Sequence, residues 1–201
     1  MTEARVGRLL AASLHQAIGD ELPDRLEFYE VWLKSEGMRD GTIGLAPMIA
    51  VLGFLRTEEA YDRVVARAGR LSAQWTILSM SPLQRRAIGL LPRSLRARAA
   101  LWVATGIVRH ISSASRVSAR IRRGAASLDV KASLFCAVRD LHKLPLCGFY
   151  AGVAAESLAT FGITARARVE HCRAVDHQYS TCRIALDFSG ADAATDPALA
   201  A

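Results

Sequence analysis

The sequence predicts an α+β protein, with an N-terminal block of helices followed by a ββαββ unit whose antiparallel sheet has helices packed on one face. Three observations predict it. Apolar residues recur at helical spacing as far as residue 111, and at Ser115 the period changes from 3.6 to 2. One apolar helix then separates two strand pairs, an order that an antiparallel sheet covered on one face accommodates. At 201 residues the chain is long enough for one sizeable core and too short for two well-separated ones. Residues 1–188 are therefore expected to form one domain, helical over 1–111 and ββαββ over 115–188.

Taking the elements in order, residues 3–18 place Val6, Leu9, Leu10, Leu14 and Ile18 on one helical face. Asp24 followed by Glu27 has the form of a capping box and opens a second helix through Leu33. The glycine-rich "EGMRDGTIG" breaks the chain before "LAPMIAVLGFL". Thr57, with Glu58 and Glu59, is expected to cap a long helix whose stripe is Tyr61, Val64, Val65, Ala68, Leu71 and Trp75. Ser81, Pro82 and Gln84 supply an N-cap, a first-turn proline and a capping-box partner for a short helix. Residues 94–110, after Pro92, form the last helix of the block. Val117, Ala119 and Ile121 then alternate with Arg116, Ser118, Arg120 and Arg122, and Leu128, Val130 and Ala132 with Asp129, Lys131 and Ser133, which predicts a hairpin turning near Arg123 and Gly124. "LPLCGFYAGVAAESLATFG" reads as a helix ending at Gly162. "ITARARVEHCRAV" and "HQYSTCRIALDF" read as a second hairpin, and the small, polar tail 189–201 as disordered.

The net charge is +7, and between Asp62 and Asp129 there are thirteen arginines and no acidic residue. A basic face is predicted, suited to anionic lipid headgroups, ligand carboxylates or nucleic acid. The arginines are not interleaved with aromatics in a recognisable nucleic-acid motif, so nucleic acid is not expected as a partner. No phosphate-binding or dinucleotide glycine fingerprint occurs, which weighs against an autonomous reductase. The longest apolar stretch, Ile43 to Leu55, is too short to span a bilayer and contains Pro47. Glu3 and Arg5 fall where a secretory signal needs a cationic end followed by an apolar core, so a cytoplasmic location is expected.

The four cysteines, Cys136, Cys147, Cys172 and Cys182, read in a reducing cytoplasm first as buried thiols, second as metal ligands and last as disulfides. Strict alternation puts Cys172 with Arg166, Arg168 and Glu170, and Cys182 with Ile184, Leu186 and Phe188. A bulge near the turn would bring both to one side. A catalytic Cys–His pair using His110, His171 or His177 lacks the oxyanion-stabilising elements such chemistry needs, although arginines 166, 168, 173 and 183 would favour a thiolate. Gly148, Ala151, Gly152, Ala154 and Ala155 let their helix approach another backbone closely, or leave room for a flat ligand. Trp75, Trp102, Phe149 and Tyr150 are candidates to line an apolar pocket. Arg116 and Arg120 are candidates to pair with ligand carboxylates.

The cysteine before a small-residue helix, "LCGFYAGVAAESLATFG", followed by "CRAVDHQYSTCRI", resembles the 4-vinyl reductase domain family over residues 115–188. That family shares its fold with the small TRAPP vesicle-tethering subunits and with the sensor domains of phenol-responsive bacterial regulators. "GTIGLAPMIAVLGFLR" and "SLFCAVRD" look most like its branch in photosynthetic proteobacteria, encoded with bacteriochlorophyll synthesis. The resemblance implies a homodimer, a pocket for a hydrophobic small molecule, and a zinc ion held as in the phenol sensors, here by Cys147, Glu170, Cys172 and Cys182. The glutamate stands one residue nearer its cysteine than in those sensors, which leaves His171 and His177 as alternatives for its place. The function implied is non-catalytic binding or carriage of a tetrapyrrole intermediate in bacteriochlorophyll biosynthesis. Two alternatives stand beside it: an enzyme that reduces the 4-vinyl group of a chlorophyllide precursor with a partner, and an interaction module that uses the basic face on proteins or anionic membranes. The apolar excess of "LAPMIAVLGFL" and "LWVATGIV" further suggests that the dimer forms through the helices.

Overall fold

The computed structural model describes residues 5–33, 42–122 and 124–188. The expected tail 189–201 and most of the glycine-rich loop lie outside the described residues. The helices are α1 (Arg8–Glu21), α2 (Leu26–Leu33), α3 (Leu45–Leu55), α4 (Tyr61–Ser79), α5 (Pro82–Gly89), α6 (Arg93–Ile111) and α7 (Gly148–Thr160). The strands are β1 (Arg5–Gly7), β2 (Thr42–Gly44), β3 (Arg116–Arg122), β4 (Ala125–Lys131), β5 (Arg166–His171) and β6 (Cys182–Asp187). This is the α+β order that the change of period predicts.

Periodicity does not reveal β1 and β2, which pair antiparallel with Val6 opposite Ile43. At three residues each they are too short to display a period. Two expected caps also differ. Asp24 falls in a 3-10 turn over Pro23–Arg25, so α2 begins only at Leu26. Thr57, Glu58 and Glu59 lie in the turn before α4, whose N-cap is Ala60. The Thr57 hydroxyl donates back to the Phe54 carbonyl at 2.7 Å. Glu58 instead accepts from Arg25 at 3.0 Å and from the Tyr29 hydroxyl at 3.3 Å. These tertiary partners outweigh local capping, which contributes only about 1 kcal/mol. The Ser81–Gln84 capping box is present in both directions.

Strands β3 to β6 form an antiparallel sheet in the order β3-β4-β6-β5. Register places Leu128 opposite Ile184 and Val130 opposite Cys182, and these residues are buried under the helices. The other face is polar. On it Asp129 accepts from Arg183 at 2.7 Å, and this hydrogen bond holds the guanidinium above its usual pKa. Helix α7 packs on β5 and β6 and α6 on β3, while α4 lies against α7 and α1 against α4.

The α4–α7 contact is made backbone to backbone. A Cβ added at Gly69 would lie 2.1 Å from the Phe149 carbonyl oxygen, and one at Gly152 would lie 2.3 Å from that of Ala66. Of the two roles open to the small residues of α7, close approach is the one Gly152 performs. Among the described residues no helix is long and apolar enough to cross a membrane.

Candidate functional site

Four segments deliver one sulfur each to a common point. After β4, Ala132 turns the chain with φ 52° and the 3-10 turn Leu134–Cys136 buries Phe135 and Cys136. Cys147 is the N-cap of α7. The β5–β6 register shifts between Val169 and His171, a bulge after which Cys172 turns into the core. Cys182 opens β6 on the covered face.

The surroundings hold these segments in place. Arg56 donates to the Phe135 carbonyl at 2.9 Å, and the Tyr61 hydroxyl donates to that of Leu146 at 3.0 Å. The His142 amide donates to the Ala174 carbonyl at 2.6 Å, tying the approach to α7 onto the second hairpin. Phe135 stacks on Phe149 at 5.0 Å between centroids, and Tyr150 meets both rings edge-on. The thiols are thus sealed by an aromatic wall.

The sulfur of Cys136 is 3.0 Å from that of Cys147 and 3.4 Å from those of Cys172 and Cys182. Cys147 and Cys172 are 3.6 Å apart, and all four sulfurs lie within 4.8 Å of one another. A disulfide needs about 2.05 Å, and all four residues are free thiols. A tetrahedral zinc–thiolate centre with bonds of about 2.3 Å requires sulfurs about 3.8 Å apart. The separations of 3.0–3.6 Å lie a few tenths of an ångström short of that value and none exceeds 4.8 Å, so the four sulfurs could hold a metal ion tetrahedrally.

Cys172 is the most acidic of the four. Hydrogen bonds from the Cys136 and Cys147 thiols, with the Leu146 amide at 3.4 Å, hold it well below the usual thiol pKa. Cys147 and Cys182 are pushed up, first through their hydrogen bonds with Cys136 and further by burial. Cys136 is held below the usual thiol pKa as well, first through its hydrogen bond with Cys147. Loading zinc onto four thiolates is therefore expected to release fewer than four protons per ion near neutral pH. A pH-indicator titration of chelator-treated protein with zinc measures this number, and four would mean that no thiolate exists beforehand.

Glu170 stands apart from the cluster. It is exposed on the polar face of the sheet, in a shallow basin with Arg120, Arg168 and Arg183. His171 stacks on Tyr179 at 4.6 Å, and His177 is exposed on the turn. Cys136 completes the four, and neither spacing nor the resemblance singled it out. Arginines 166, 168 and 173 are exposed and Arg183 is paired with Asp129. Sulfur–sulfur hydrogen bonds, rather than the arginines, favour the Cys172 thiolate.

The six candidate ligand-binding residues separate into groups. Phe149 and Tyr150 are fully packed beside the sulfurs, and Trp75 is half-buried on α4. Arg116 and Arg120 are exposed on β3, with Arg120 3.9 Å from Asp129. Trp102, 73% exposed, projects into a groove of about 510 Å³ between α6 and β3. Leu101, Val117 and Ile121 line this groove, with Arg98 and Arg109 beside them. Arg98 and Arg109 were not singled out in the sequence; their spacing to Trp102 along one helical face was the available signal.

No protein-family model matches the chain, and no curated protein matches its sequence. Among solved structures it is similar to an Fe(II) unliganded H-NOX protein from K. algicida, crystallised as a single-site mutant, with 13% identity over 90% of this chain and 95% of that one and a TM-score of 0.59. It is also similar to the phenol-responsive sensory domain of the transcription activator PoxR with phenol, at 17% identity, 78% and 81% coverage and a TM-score of 0.47. A doubly substituted Tt H-NOX gives 12% identity, 92% and 95% coverage and a TM-score of 0.47. At such identity the first of these likenesses establishes one thing, that the chain shares the fold of an H-NOX protein.

Proposed function

We propose that this protein binds a flat hydrophobic small molecule bearing carboxylates, specifically a tetrapyrrole intermediate of bacteriochlorophyll synthesis, and acts as a carrier or accessory factor rather than as a catalyst. The observation that carries this reading is the groove between α6 and β3. Its volume of about 510 Å³ falls within the range of about 300–1,000 Å³ typical of small-molecule sites. Trp102 offers an exposed aromatic face, Leu101, Val117 and Ile121 add aliphatic lining, and Arg98 and Arg109 would meet ligand carboxylates. A zinc ion on Cys136, Cys147, Cys172 and Cys182 would be structural in this reading. It would cross-link the first hairpin, α7 and the second hairpin without presenting an open coordination position.

Titrating the purified protein with a free-base dicarboxylate porphyrin tests this through quenching of tryptophan fluorescence and the shift of the porphyrin absorbance band. Trp102→Ala and Arg98→Glu are each expected to weaken binding about tenfold, a loss of about 1.4 kcal/mol, with the melting temperature unchanged. Binding untouched by both variants would remove the groove from the reading. Turnover of a divinyl chlorophyllide with reductant and no added protein would replace carriage with catalysis.

A further inference from the structure

Helix α5 inverts the usual arrangement of a surface helix. Spacing puts Leu83, Arg86, Ala87 and Leu90 on one side, and that side faces solvent, with Leu83 78% and Leu90 85% exposed. Arg85 and Ile88, on the inner side, are only half-buried, and no residue of α5 is fully buried. Leu78, closing α4, and Leu95, opening α6, are 65% and 46% exposed. The segment is nonetheless well held. The capping box fixes its start, and an Arg96 guanidinium N–H donates to the Gly89 carbonyl at 3.3 Å near its end. A firmly anchored helix that presents leucines outward marks a contact surface.

Charge identifies the partner. The leucines sit within the stretch between Asp62 and Asp129 that has thirteen arginines and no acid. Among the described residues Arg86, Arg93 and Arg98 form no salt bridge. A second copy of such a surface would bring arginine against arginine, whereas phospholipid phosphates neutralise it.

We propose that α5 and its flanks dock on a bilayer containing anionic phospholipid, with Leu83 and Leu90 entering the boundary between headgroups and acyl chains and Arg86 and Arg93 meeting headgroup phosphates. This does not rest on the small-molecule reading, since Leu83 and Leu90 do not line the groove. If both hold, a hydrophobic ligand would be delivered to and taken from the membrane.

The test is sedimentation of the full chain with vesicles of phosphatidylcholine containing about 30% phosphatidylglycerol, and with phosphatidylcholine alone, across a salt series. Binding is expected to the anionic vesicles only, to weaken as salt rises, and to fall about tenfold in the double variant Leu83→Asp/Leu90→Asp. Circular dichroism and thermal melting check that the variant folds, and Arg86→Glu with Leu90→Gln provides a milder version. Equal binding to both vesicle types, no binding to either, or binding unchanged in the variants would overturn the proposal. So would a parent dimer in light scattering that the variants dissociate while vesicle binding stays absent, because the face would then belong to a second copy.

Discussion

Cys136→Ser is expected to lower bound zinc from about one equivalent per chain to below about a tenth, and to cost at least about 4 kcal/mol of stability. Cys136 is the sulfur nearest the others, at 3.0, 3.4 and 3.4 Å, so its loss opens one corner of the tetrahedron. A structural zinc site contributes about 10–16 kcal/mol of apparent binding free energy in small domains. A serine in a merely packed thiol cluster would cost only about 1–3 kcal/mol. Elemental analysis of protein prepared without chelator, together with denaturant melts before and after chelation, separates the two. Glu170→Gln provides the contrast. The residue is exposed on the far face of the sheet, so the variant is expected to keep its zinc and to stay within about 0.5 kcal/mol of the parent. Metal retained in Cys136→Ser and lost in Glu170→Gln would refute the four-cysteine centre.

The second large effect is expected at the α4–α7 crossing. Gly152→Ala places a methyl group 2.3 Å from the Ala66 carbonyl oxygen and 3.2 Å from the Arg70 amide nitrogen. Both are backbone atoms of a neighbouring helix, so no side chain can rotate away and the two helices must separate. A loss of at least about 3 kcal/mol is expected, at the upper end of overpacking penalties. Gly69→Ala is expected to cost as much, because its methyl would strike the Phe149 carbonyl oxygen from the other side. Either variant also shifts the start of α7, where Cys147 caps the helix, so zinc affinity is expected to fall with stability. Gly106→Ala is the control of opposite sign. It lies within α6 with nothing within 4 Å of the added carbon, and it is expected to stabilise by up to about 1 kcal/mol through helix propensity. Chemical denaturation of the three variants reads both signs, and equal effects at Gly152 and Gly106 would show that the crossing is not the tight contact described.

The amino-acid sequence by itself determined the succession of helices and of the two C-terminal hairpins, but not the short strands β1 and β2. Six of the seven helices and both hairpins follow from where apolar residues recur at a spacing of three to four or of two, and the Ser81–Gln84 box marks its helix start to the residue. These features are written into the sequence because helix and strand geometry repeat over a few residues, so each stretch carries its own signal. The absence of acids between Asp62 and Asp129 likewise makes that stretch basic whatever its fold.

The tertiary structure alone decided which chemistry-bearing residues meet. Cys136 joins Cys147, Cys172 and Cys182 through three separate connections: a left-handed residue at Ala132, the cap of α7 and a bulge beside Glu170. That bulge also overrides the alternation that would have set Cys172 beside Glu170, burying the cysteine and leaving the glutamate outside. Of the two roles open to Gly152, the packing of α4 on it selects close approach. Trp102 acquired Val117 and Ile121 as companions only when β3 closed the groove. The physical reason is common to all four cases. Sheet register and helix crossing are set by the sum of many distant contacts, and a shift of one residue in either reverses which side chains face each other.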